Sequence, residues 1–140
     1  MILLSSGRAS TRHPPDAVFA RWADPATWPE WDPDLEWVRF AGPAMLGSRG
    51  TLKPTSGPPL SFAVSAFEED RVFTDTGTLP GARLAFEHRV TPVPGGSEAV
   101  VEIRVHGALA WLWKRVMGGS LRGAAQSSLD GLLAHLDGRG

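Results

Sequence analysis

The chain has no cysteine and no tyrosine. The first absence excludes disulfides, thiol nucleophiles, iron–sulfur clusters and thiolate zinc together. The second removes the phenol as a proton donor. Charge of one sign is also lacking: 14 Lys and Arg against 15 Asp and Glu give a formal net charge of −1, without the basic surplus that nucleic acid or an anionic membrane selects. No window approaches the roughly 18 apolar residues of a membrane span. After Ile2-Leu3-Leu4 the chain turns polar at Ser5-Ser6-Gly7-Arg8, short of the apolar core of a secretory signal. A soluble, cytoplasmic protein is therefore expected, with no nucleic-acid partner and no stable membrane insertion. The glycines form neither a dinucleotide fingerprint nor a phosphate loop, His13, His106 and His135 are scattered without metal-ligand spacing, and no serine sits in a nucleophile elbow. No metal and no cofactor are expected.

What is present is turn chemistry and tryptophan. At 140 residues one domain over 1–140 is expected, and 16 Gly with 12 Pro suit short strands joined by turns better than a helix bundle. Of six Trp, four (Trp22, Trp28, Trp31, Trp37) fall close together near the N-terminus. Residues 2–12 read as a strand, Pro14-Pro15 as a helix start, and 16–22 as a short helix presenting Val18, Phe19 and Trp22 on one face. Ala26-Thr27-Trp28 makes one further turn before a rigid loop from Trp28 to Asp34. Strands are expected at 35–40, 50–53, 60–67, 71–78, 83–91 and from Val101 to Val105. In the fifth of these, Leu84, Phe86, His88 and Val90 share one face. A hairpin loop is expected over 92–96. For Trp37 two readings stay open, since Leu35 and Trp37 compete with Val38 and Phe40 for the inner face. From Ala108 to the C-terminus apolar residues recur at helical spacing, predicting one long amphipathic helix with a kink or break at Gly118-Gly119.

The stretch Pro15-x-x-Val18-Phe19-x-x-x-x-Asp24-Pro25-x-x-Trp28-Pro29-x-Trp31-Asp32-Pro33 resembles the signature of the polyketide cyclase/dehydrase family of the START-like, or Bet v 1-like, superfamily. Gly47, His88-x-x-x-Pro92 ahead of Gly95-Gly96, and Gly107-x-Leu109 are similar too. The resemblance implies an α+β helix-grip fold: a curved antiparallel sheet of about seven strands around a long C-terminal helix, with two short helices after the first strand and a cavity between sheet and helix. Strands with one apolar face need a cover, and a single amphipathic helix can supply it.

Within such a cavity His88 is the candidate proton shuttle, with Thr74 or Thr76 beside it; the competing reading is a structural histidine satisfied by a backbone group. Trp28, Trp31 and Trp37 are candidates for an aromatic wall at the cavity mouth, or for a plug closing the sheet's open end. Phe62, Val64, Leu84, Phe86, Val101, Ile103 and Val105 supply the apolar sheet side, and Trp113, Met117 and Leu121 the helix side. Asp32 and Asp34, flanking a proline, read as turn chemistry. Three functions follow: a binding protein for a hydrophobic small-molecule ligand such as a lipid or polyketide; a cyclase or aromatase performing aldol condensation or dehydration; or a co-chaperone-like interaction module. Monomer and homodimer are both open.

Overall fold

Turn residues divide the chain into seven strands and three helices in the computed structural model, which describes residues 1–138. In order these are β1 (Ile2–Thr11), α1 (Pro15–Trp22), a 3-10 turn (Pro25–Glu30), β2 (Leu35–Phe40), β3 (Arg49–Pro54), β4 (Leu60–Glu68), β5 (Val72–Leu79), β6 (Ala82–Val93), β7 (Gly96–His106), α2 (Ala110–Leu121) and α3 (Ala124–Leu136). All neighbours pair antiparallel in the order β1-β7-β6-β5-β4-β3-β2, so the N-terminal strand closes one edge beside the last strand. The sheet is curved and the helices lie in its concave side, the Bet v 1-like helix-grip arrangement.

Local chemistry explains the elements that frame the interior. Pro15 opens α1 where a missing N–H costs nothing, and Asp16 and Arg21 oppose the helix dipole at its two ends. The turn after it does not stop before Pro29 but continues to Glu30, where the Trp31 N–H donates to the Trp28 carbonyl (3.2 Å). The β6–β7 hairpin is tighter than expected: the ladder runs to Val93 opposite Gly96, leaving Pro94-Gly95 as the turn. The register shift after Val64 in β4 places Phe67, opposite Phe73, against the core.

One part of the interior is solid. Phe19 packs edge-on to Phe67 (5.4 Å) and Phe73 (6.3 Å), while Trp28 stacks on Phe62 (5.6 Å), which stacks on Phe40 (6.0 Å). Such aromatic pairs add about 0.5–1.5 kcal/mol each beyond their buried area.

The C-terminal helix is not continuous, and its interruption lies at Arg122-Gly123 rather than at Gly118-Gly119. A break leaves helix-end groups unpaired, and the Ser5 hydroxyl of β1 serves both sides. It donates to the Arg122 carbonyl (2.9 Å) and accepts from the Ala125 N–H (3.1 Å). Gly118 and Gly119 stay helical, inside the run from Ala110 to Leu121. The last two positions of the expected helix lie outside the described residues. Beyond the break α3 presses close: a Cβ on Gly7 of β1 would stand 2.7 Å from the Gln126 nitrogen, and one on Gly131 would land on the Trp31 carbonyl oxygen. No helix among the described residues is long and apolar enough to cross a membrane.

Candidate functional site

Between the sheet and α2 lies a cavity of about 580 Å³. Its sheet wall comes from period-two alternation: Leu84, Phe86 and His88 of β6 and Val101 and Ile103 of β7. Trp113, Met117 and Leu121 of α2 cover it, Leu35 and Leu52 close one side, and Trp28 and Trp31 form another wall. Residues that line the cavity while exposed to solvent mark its mouth: Asp34, Ser56, Pro58 and Pro59 on one side, Thr78 and Pro80 on another, Val116 and Ser120 of α2 above. The covering helix is pinned at one end, where Trp113 Nε1 donates to the Pro80 carbonyl (2.8 Å), and at the other by Ser5.

Several sequence candidates lie elsewhere. Trp37 faces outward, with the Arg39 guanidinium 4.5 Å over its ring, while Val38 and Phe40 turn to the core. Phe62, Val64 and Val105 are buried in the solid core and do not line the cavity. Thr74 and Thr76 occupy the opposite face of β5, where the Thr76 hydroxyl meets Ser65 (2.8 Å); the inward residues of that strand are Phe73, Asp75 and Gly77. Trp28 and Trp31 are buried walls rather than an exposed gate, and Trp28 Nε1 is occupied by the Trp22 carbonyl (3.0 Å).

The polar chemistry of the cavity is therefore different from that expected. His88 is buried and its Nδ1 lies 2.8 Å from the Phe73 carbonyl oxygen. A carbonyl only accepts, so Nδ1 carries the proton and Nε2 is left as an acceptor. Burial lowers its pKa to about 4, outweighing these backbone contacts, so the ring is neutral near neutrality. Asp75, one turn of the pleat along the neighbouring strand, is 2 % exposed. Burial pushes its pKa up to about 8, with the charge of Asp32 adding to the rise and its own backbone N–H opposing it. His88 Nδ1 and Asp75 Oδ1 stand 3.9 Å apart. Between about pH 4 and 8 both are uncharged, so this is no ion pair. Asp32, which also lines the cavity, is raised to about 6 by burial, against hydrogen bonds from the Asp34 backbone and Ser128.

Among the described residues, two buried polar atoms on cavity-lining side chains have no hydrogen-bond partner: Asp75 Oδ1 and Trp31 Nε1. Neither Asp75 nor an involvement of Asp32 was anticipated. Asp75 follows once pairing with His88 sets Phe73 inward, since the residue two positions on then shares that face. Among the described residues no group of three or more His, Asp or Glu side chains could hold a metal ion.

The sequence profile of a family described as polyketide cyclase/dehydrase and lipid transport matches residues 8–137. No curated protein matches the chain. Among solved structures, protein MLL2253 from Mesorhizobium loti is similar with a TM-score of 0.73 at 20% identity, covering 96% of this chain and 98% of its own. Ara h 8.0201 gives 0.64 at 16% identity, covering 95% of this chain and 96% of its own. DynU16, from the dynemicin biosynthetic locus, gives 0.67 at 15% identity, covering 95% of this chain and 46% of its own. At these identities the likeness is one of fold.

Proposed function

Because the chain belongs to the polyketide cyclase/dehydrase and lipid transport family, we propose that it binds a small, predominantly apolar molecule in the cavity between the sheet and α2. The cavity itself carries this reading. Its volume of about 580 Å³ falls inside the range of small-molecule sites, roughly 300–1,000 Å³, and its lining is apolar with a few convergent polar groups. At roughly 24 cal/mol per Å³, a sealed and empty void of that size would cost on the order of 10 kcal/mol, as much as a domain's whole stability. An open mouth and an apolar occupant remove that cost.

The test is native mass spectrometry of the protein purified gently from its own host, followed by extraction. A stoichiometric apolar adduct is the expected result. Bare protein, together with no saturable binding of the neutral dye N-phenyl-1-naphthylamine, would sink the reading.

A second reading, an enzyme of cyclase or dehydrase type, is favoured by Asp75. A carboxyl with a pKa near 8 is matched to proton donation at neutral pH. His88 is the poorer shuttle, since its Nδ1 proton is committed to Phe73 and its pKa of about 4 makes Nε2 a weak base.

A further inference from the structure

We propose that Asp75 and His88 form a polar anchor in the cavity, which takes the uncharged hydroxyl or carbonyl oxygen of an otherwise apolar ligand and rejects its carboxylate and ammonium counterparts. This rests on the binding reading above and specifies the ligand class.

Both side chains line the cavity and are buried, at 2 % exposure for Asp75 and 7 % for His88, with Asp75 Oδ1 and His88 Nδ1 3.9 Å apart, whereas the mouth is formed by exposed residues. Asp75 Oδ1 has no partner among the described residues, and a buried polar atom left so costs about as much as a lost hydrogen bond. An occupant that supplies the missing bonds is stabilised by what the empty protein forfeits. The inventory of groups states what the occupant must offer. The imidazole, with Nδ1–H given to Phe73, accepts only at Nε2. A neutral carboxyl both donates and accepts, which complements an alcohol that does the same. A ligand hydroxyl or carbonyl is satisfied by such a set without bringing charge into the interior.

Charged heads are disfavoured for separate reasons. No Lys or Arg among the described residues lines the cavity, so a carboxylate or phosphate would be buried without a counter-ion and beside Asp32. An ammonium would need Asp75 ionised inside the apolar chamber, where burial opposes that form.

The test is displacement of N-phenyl-1-naphthylamine at neutral pH by 1-decanol, decanoate and decylamine, with wild type, Asp75→Asn and Asp75→Leu. Expected are decanol binding at least about tenfold tighter than either charged analogue, retention within about threefold in Asp75→Asn, and a loss of about tenfold in Asp75→Leu. Far-ultraviolet circular dichroism reports that each protein is folded, and each protein's own affinity for the dye is the reference for its displacement curves. Equal binding of decanoate or decylamine overturns the anchor, as does unchanged decanol binding in Asp75→Leu. If the dye binds and decanol shows no preference, the anchor fails while the cavity reading stands; if neither binds, both fail.

Discussion

The two C-terminal helices face the same sheet with opposite results. α3 buries Ala125, Ser128, Leu129 and Leu132, whereas α2 buries Ala110 and leaves Trp111 and Val116 at 56% and 64% exposure. Both have apolar residues at helical spacing, so amphipathicity does not separate them. The difference lies in what stands opposite. Glycines at Gly7 and Gly131 let the α3 backbone touch β1 and the Trp31 carbonyl, while α2 meets the sheet through Trp113, Met117 and Leu121, which hold it off. Where small residues face each other the layers close; where large ones do, a chamber remains.

The strongest way to break this contrast is to spoil the close side. Gly131→Val puts a branched side chain onto the Trp31 carbonyl oxygen, and backbone cannot yield as a flexible side chain can. A loss of about 3 kcal/mol or more in urea denaturation is expected. A wild-type midpoint would mean that α3 is not clamped as described.

A smaller effect is expected from the floor of the hollow side. Asp75 has a raised folded value, so its contribution to stability is complete below about pH 3.8 and is lost as pH rises through about 8. Asp32 has the same sign and is spent by about pH 6. His88 has the opposite sign: its contribution is present above about 6.5 and is lost as pH falls to about 4. Between pH 6.5 and 8 Asp75 therefore dominates the three, and stability should fall by about 1–2 kcal/mol. Denaturation midpoints at the two ends check this, and Asp75→Asn should flatten the slope. A slope that persists in the variant would remove Asp75 as its source.

The smallest effect sharpens the contrast on α2 itself. A Cβ on Gly119 meets nothing within 4 Å, and one on Gly118 meets only the Lys114 Cγ at 3.8 Å. Gly118→Ala and Gly119→Ala should each raise stability by up to about 1 kcal/mol, seen as a higher melting temperature, with dye binding unchanged. Destabilisation would show that the pair serves a bend after all.

These contrasts were unevenly legible in the sequence. Alternation in β6 and β7 placed Leu84, His88, Val101 and Ile103 inward, and the Pro15 to Pro33 pattern pointed to the fold before any geometry. The interruption of the helix was harder, because Gly118-Gly119 is the stronger local signal, while the real break depends on Ser5, more than a hundred residues away in the chain. The polar site was missed for a related reason. In β5 the threonines looked like suitable cavity hydroxyls and an aspartate looked like a surface residue, as most are. Only pairing with β6, which sets Phe73 opposite His88, fixes which set points inward. Trp37 was undecidable alone, since the irregularity between Leu35 and Trp37 lets Leu35, Val38 and Phe40 all reach the core.

The placement of the indoles has an optical consequence. With no tyrosine present, the chain's near-ultraviolet emission comes from six tryptophans, and three of them, Trp28, Trp31 and Trp113, line the cavity. Half of the fluorophores thus report on one chamber, and the protein carries its own label at the place where an occupant would sit.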